Sequence, residues 1–373
     1  MGWNCVAAAS SRLPDIEHHQ GDVMLSRLTL RNFTVFADAD FRLCSGLNVV
    51  IGENGAGKSH ALKAAYCVQS VVSPLKRDAL PPAPTKKYLE GEIARKLRRV
   101  FRPEELGRLA SRRKGRSRCE VEAVFEPKSH PLSFHFNTNS KSEVNVISLP
   151  RRWADHPPVF LPSRELLSIY PGFVSLYETT DLEIEETWRD TCLLLGVPAT
   201  RGVRPRPLEG LATPLEEELG GKVVLGRNDR FYVETPAGDL EAHLVAEGLR
   251  KLAMIARLIA TRSLVGAGSL YWDEPEANLN PKVIKLVART ILGLCAAGIQ
   301  VFVATHSLFL LRELDILAGG AEFADVETRF IGLHPAPGGV ALEQGESIDD
   351  VGDIDSLSEE LSQSDRYLAQ GVR

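Results

Sequence analysis

The sequence predicts an α/β fold in which a mixed sheet carries a phosphate-binding loop at the end of one strand and paired carboxylates at the end of another. Three observations predict it. The glycine-rich segment Gly52-Glu53-Asn54-Gly55-Ala56-Gly57-Lys58-Ser59 follows the apolar run Leu47–Ile51 and precedes the helix-forming stretch Ala61–Ala65. A second apolar run, Ser269–Trp272, ends in Asp273-Glu274-Pro275-Glu276. A third, Val301–Ala304, ends in Thr305-His306-Ser307. Short apolar runs closed by polar residues are the pattern of buried strands.

Taken in order, Leu28–Phe36 reads as the first strand, with Met24 just before it and residues 1–23 as a poorly ordered leader. The segment 52–59 matches G-x-x-x-x-G-K-[ST] in the strand, loop and helix setting that the pattern requires. Gly52, Gly55 and Gly57 let backbone N–H groups turn inward around a β-phosphate with no Cβ in the way, and Glu53, Asn54 and Ala56 complete the cradle. The following helix, opening at Lys58-Ser59-His60, adds the positive end of its dipole. Lys58 is expected to bridge the β- and γ-phosphates of ATP and Ser59 to ligate Mg²⁺. Asp273, at the carboxyl end of its strand, can hold Mg²⁺ through water or Ser59, and Glu274 is placed to orient or deprotonate an attacking water. His306 can donate a hydrogen bond to the γ-phosphate.

Taken together, these residues resemble the ABC-type ATPases of the overcoming-lysogenisation-defect group, with its AbiEii-like, AAA_15/AAA_21-like and PtuA kin found in bacterial anti-phage systems. The resemblance implies an ABC-ATPase head: a P-loop NTPase core with an antiparallel β-layer and a small helical insertion. It implies that Ala277-Asn278-Leu279-Asn280-Pro281 is a D-loop crossing to a second subunit, and that His306 is a switch histidine. Arg31 lies in the stretch that would contact the nucleotide base. The signature motif is represented by Val245–Lys251, where Gly248 stands at a helix start that would meet the opposite subunit's γ-phosphate. Ala246 occupies the usual serine position and Glu247 a usual glycine, so this motif is degenerate. The segment Phe160–Glu165 stands where the family places a metal-touching glutamine; it has none, leaving Glu165 or Ser163 as the substitute or an ordinary strand-to-turn junction. The resemblance covers roughly residues 24–75 and 240–335.

Between those blocks, residues 85–118 hold thirteen bases against four acids in a chain whose net charge is −5. An excess of that sign attracts phosphate backbones, which points to DNA or RNA on Lys86–Arg118; a solvated helical lid is the plainer alternative, since aromatic residues for base stacking are scarce there. Runs at 119–125, 132–136 and 144–149 alternate as strands of a β-layer. Residues 181–196 read as a helix, 201–214 as a proline-rich loop, and 222–225 with 231–235 as a hairpin. Beyond His306, a helix over 308–317 and strands near 328–333 and 340–342 close an ATPase domain spanning 24–342. Residues 343–373 read as an acidic tail, disordered or partner-docking, and no sustained heptads mark a long coiled coil.

No apolar stretch reaches the length of a membrane span, and the six scattered cysteines form no C-x-x-C pair, so a cytoplasmic protein with no membrane partner is expected. The functional expectation is a Mg²⁺-dependent ATPase that dimerises around ATP, or forms a higher oligomer, and switches a separate effector protein in an antiviral defence or nucleic-acid-linked assembly. The alternatives are a transporter's nucleotide-binding subunit and a slow-turnover scaffold.

Overall fold

A computed structural model describes residues 23–75, 80–111, 117–128, 130–199, 206–264 and 268–370. Two antiparallel strands, β1 (Met24–Phe33) and β2 (Phe36–Arg42), lead into β3 (Leu47–Gly52), which is buried at every position. After the glycine loop come α1 (Lys58–Val72) and α2 (Lys86–Phe101), the latter capped by the Thr85 side chain, which accepts from the Tyr88 N–H. The strands β4 (Arg118–Glu126), β5 (Leu132–Asn137) and β6 (Asn145–Ser148) alternate buried with more exposed positions, and β7 (Val159–Leu161) is wholly buried.

The helices α3 (Phe173–Thr179), α4 (Glu186–Leu195) and α5 (Arg206–Leu219) precede a small antiparallel sheet of β8 (Lys222–Leu225), β9 (Phe231–Thr235) and β10 (Gly238–Glu241). Helix and strand then alternate through α6 (Glu247–Ala260), β11 (Ser269–Asp273), α7 (Pro281–Ala296), β12 (Gln300–Thr305) and α8 (Leu308–Ala318). The hairpin of β13 (Thr328–Ala336) and β14 (Gly339–Gly345) follows, and α9 (Asp355–Gln370) ends the described chain.

The main sheet has six strands in the order β14-β13-β3-β12-β11-β7, parallel throughout except for the edge strand β14. Thr305 lies opposite Ile51 and Asp273 opposite Ala304, so the carboxyl ends of β3, β11 and β12 come level at one edge. Ligands of open parallel sheets bind at that edge. Alternation along each strand divides the core in two. Val50, Phe160, Tyr271, Phe302 and Ile331 face α1, α2 and the five-stranded antiparallel sheet β2-β1-β4-β5-β6. Leu47, Val49, Leu270, Trp272, Val301 and Val303 face the helices that run from α4 to α8.

Four expectations need correction. The span 201–214 is not a loop throughout, because α5 starts at Arg206 and carries Pro214 inside it. Leu211, Ala212, Leu215 and Leu219 recur at helical spacing and pack into the core, which outweighs the missing proline N–H. The helix expected over 181–196 begins only at Glu186. The 222–235 hairpin gains a third strand, β10. The acidic end is structured: β14 runs on to Gly345, Ser347 and Asp350 form a reciprocal capping box, Val351 and Ile354 are buried, and α9 follows. Residues 1–22 and 112–116 lie outside the described residues, so the leader and four of the thirteen bases are not placed.

Candidate active site

The loop between β3 and α1 is built by its glycines. Gly55 and Gly57 have φ of 84° and 96°, in the left-handed region that favours glycine. A Cβ on Gly57 would also lie 2.5 Å from the Val35 side chain, so the turn between β1 and β2 presses directly on the loop. Ala56 is buried beneath it, whereas Asn54 and Gly55 face outward. Lys58 folds back across the loop and donates to the Gly52 and Glu53 carbonyls at 2.7 and 3.0 Å. Burial lowers the Lys58 ammonium from its ordinary range, while Glu274, Asp273, Glu276 and Glu53 act to keep it charged.

Sequence positions 59 and 273 meet across the sheet edge. Ser59 Oγ donates to Asp273 Oδ1 at 3.0 Å. Burial raises Asp273 above the usual carboxylate range, and the Ser59 hydroxyl counteracts that shift. Among the described residues no group of three or more His, Cys, Asp or Glu gathers as a metal cage. A hydroxyl and one carboxylate nonetheless suit Mg²⁺, which keeps most of its waters and takes phosphate oxygens, and the adjoining glycine cradle leaves room for those phosphates.

Glu274 leaves the end of β11 with φ of 47°, a left-handed conformation unusual for a side chain of its size. His306 Nδ1 stands 3.4 Å from Glu274 Oε1 and 3.9 Å from Glu276 Oε1, and it has no hydrogen-bond partner of its own. Glu276 is buried; its Oε1 accepts from Thr305 Oγ1 at 2.6 Å while Oε2 is unpartnered. Lys58, Ser59, Asp273, Glu274 and His306 are thus brought together although they span 249 positions of sequence.

Other predicted residues are placed differently. The His60 ring packs edge-on against Phe101 of α2, with centroids 5.6 Å apart, so its side chain serves the α1–α2 contact and only its backbone remains for a phosphate. Burial, then the nearby Lys63, lowers the His60 imidazole. Arg31 lies 3.5 Å from Asp38 and 3.6 Å from Glu120 on the antiparallel sheet. Ala246 stands at the N-cap of α6 with no side-chain cap, as alanine must. Gly248 presses on Asn278, where a Cβ would lie 2.5 Å from its carbonyl oxygen, and Asn278 Nδ2 donates to Glu247 at 3.0 Å. Within one chain, therefore, the segment expected to be a degenerate signature lies against the segment expected to be a D-loop. Glu165 accepts from the Ser168 N–H at 3.2 Å and lies 2.8 Å from Arg250 Nε.

Two residues went unassigned in the sequence reading. Glu276 was visible only as part of a phrase, and Lys251 as one base on an apolar helix. A charged side chain falling on the core face of α6 was the available signal for the second, because lysine is rarely buried without a partner.

The model of a family described as "AAA domain, putative AbiEii toxin, Type IV TA system" matches residues 72–312, beginning after the glycine loop. No curated protein matches the chain. Among solved structures, an SmcHead bound to the C-winged helix domain of ScpA is 15% identical, covers 87% of this chain and 98% of its own, and superposes with a TM-score of 0.50. The SMC head domain from Thermotoga maritima is 15% identical with a TM-score of 0.47, covering 87% of this chain and all of its own. The Smc head from Pyrococcus furiosus, bound to the C-terminal domain of ScpA, is 14% identical with a TM-score of 0.49, covering 94% and 100%. The SmcHead superposition agrees with an α/β head of parallel and antiparallel sheets.

Proposed function

Because this chain belongs to the AAA-domain family whose model covers more than half of it, we propose that it is a Mg²⁺-dependent ATPase that dimerises around ATP and switches a separate effector in an anti-phage defence or nucleic-acid-linked assembly. One observation carries the reading. The 3.0 Å contact between Ser59 and Asp273 joins the glycine loop to the acid turn, with Glu274 and His306 beside it.

In this reading the loop N–H groups from Gly52 to Ser59 hold the β-phosphate, and Lys58 exchanges the Gly52 and Glu53 carbonyls for phosphate oxygens. Ser59 and Asp273 would hold Mg²⁺, which when bound would supply charge neutralisation to the triphosphate. Glu274 orients the water and takes its proton as the water oxygen bonds to the γ-phosphorus and the bridging oxygen departs with ADP. His306 donates to a γ-phosphate oxygen, with the Glu274 and Glu276 carboxylates beside its ring. The Gly248 helix start of a second subunit would close over the γ-phosphate.

Glu274→Gln is expected to keep ATP affinity and lower turnover by about a hundredfold or more. Lys58→Ala is expected to lose ATP binding. Equilibrium binding beside steady-state phosphate release reads both; full turnover in Glu274→Gln overturns the water role, and unchanged affinity in Lys58→Ala overturns the loop's. Adding DNA or RNA to the turnover assay tests the nucleic-acid link through stimulation. A slow-turnover scaffold is favoured by the uncapped Ala246 and by Glu247, and it predicts tight ATP binding with negligible release. Among the described residues no helix is long and apolar enough to cross a membrane.

A further inference from the structure

The backbone at Glu274 is strained, and the contacts that hold it are few. Its φ of 47° costs a non-glycine residue on the order of 1–3 kcal/mol, so the surroundings must stabilise it. On one side the Glu274 N–H donates to the Ala304 carbonyl at 2.9 Å, which ties the turn to β12. On the other side the Glu274 carbonyl accepts from the Ala277 N–H at 3.2 Å and from Lys251 Nζ at 3.1 Å. Lys251 is 1% exposed on the core side of α6, where its neighbours Leu252, Ala253 and Ile255 are apolar. A buried ammonium in such a place is costly unless paired, and the groups around it are the carboxylates Glu276, Glu274, Glu247 and Asp273. The same helix touches the acid turn twice more, through Gly248 against Asn278 and through Glu247 to Asn278 Nδ2.

We propose that Lys251 is a positioning residue, which holds the Glu274 backbone in its left-handed conformation and so makes the aim of the Glu274 carboxylate depend on where α6 sits. The inference rests on the reading of Glu274 as the residue that handles water. Lys251 acts through the Glu274 carbonyl. A displacement of α6, such as closure of a second subunit on its N-terminus would cause, is carried to the acid turn of the same chain by three contacts, of which the Lys251 contact reaches Glu274 itself.

The test compares Lys251→Met, which keeps the length of the side chain and removes its charge and donor, with Lys251→Gln, which keeps a donor. Each is assayed for kcat, KM and ATP affinity well below its own melting temperature, alongside Glu274→Gln. The expected result is that Lys251→Met loses about tenfold or more in kcat while KM and ATP affinity change less than threefold, with Lys251→Gln intermediate. If Lys251→Met does not fold, the Gln variant alone must show the kcat loss with KM unchanged. A kcat within twofold of the parent in whichever variant folds overturns the proposal, and so does a parallel loss of kcat and ATP affinity, which would mark a structural role. If Glu274→Gln itself turns over normally, the water reading has failed instead; if it is inactive and Lys251→Met is not, only the positioning role has failed.

Discussion

Burial draws the Lys251 ammonium down to about 8, against about 10.4 for an unfolded lysine, and the surrounding carboxylates only partly oppose the shift. A base whose folded value is lowered penalises the folded state fully below pH 8, where both states are charged. Between about pH 8 and 10.4 the folded protein has shed this proton while the unfolded chain keeps it, so stability from this group rises with pH. Urea midpoints at pH 7 and pH 9.5 should therefore show Lys251→Met gaining on the parent at pH 7 and losing that advantage at pH 9.5. A difference between the two proteins that does not vary with pH would show that Lys251 titrates as an ordinary surface lysine. At the same scale, Gly55 and Gly57 are readable as a loop because their backbone freedom is local. The strain at Glu274 is not, because φ at a non-glycine residue is imposed by the contacts of its carbonyl and N–H.

At the scale of elements, the basic segment changed most between sequence and structure. Lys96 on α2 is buried and pairs with Asp190 at 2.6 Å and Glu186 at 3.0 Å, both on α4, while Tyr66 of α1 donates to Asp190 at 2.7 Å. Burial alone would lower the Lys96 ammonium, but Asp190, Tyr66 and Glu186 together hold it well above its ordinary value. Arg95, Arg99, Arg102 and Arg108 also have carboxylates within 3.5 Å. Arg95, Lys96 and Arg99 are thus consumed in fastening α2 to α4 and Arg102 reaches Asp181 ahead of it, whereas Arg108 pairs with Glu104 inside the segment, so the field left for a nucleic acid is smaller than the composition implies. Sequence counting could not see this, because the acids of α4 lie some ninety positions later. Asp190→Ala leaves the buried Lys96 ammonium with Glu186 as its remaining carboxylate and takes the acceptor from the Tyr66 hydroxyl, and it is expected to lower stability by about 3 kcal/mol, measured by urea unfolding. Lys96→Met combined with Asp190→Leu should recover most of that loss; a cost below about 1 kcal/mol for the single change would mean that the pair is effectively solvated.

For the whole molecule, the proposed closure of two heads on nucleotide would bring the α6 helix start, where Gly248 lies against Asn278 of its own chain, to a second copy. Glu274→Gln in ATP and Mg²⁺ should accordingly run at twice the monomer mass by light scattering, and return to monomer in ADP. A mass that does not depend on nucleotide would argue for the scaffold reading or for an oligomer built on another surface. By itself the sequence determined the glycine loop, the carboxylate turn after β11, the histidine after β12 and the alternating strands of the β-layer. Each of these depends on neighbours within a few residues: backbone freedom at glycine, burial periodicity, and the polar residue that ends a buried strand. Only the tertiary structure decided that α5 forms despite Pro214, that 343–354 packs on the sheet, that Glu165 is engaged by Arg250, and that Lys251 sits beneath Glu274. Those outcomes turn on partners tens to hundreds of residues away, and long-range pairing of charge and apolar surface leaves no local periodicity to read.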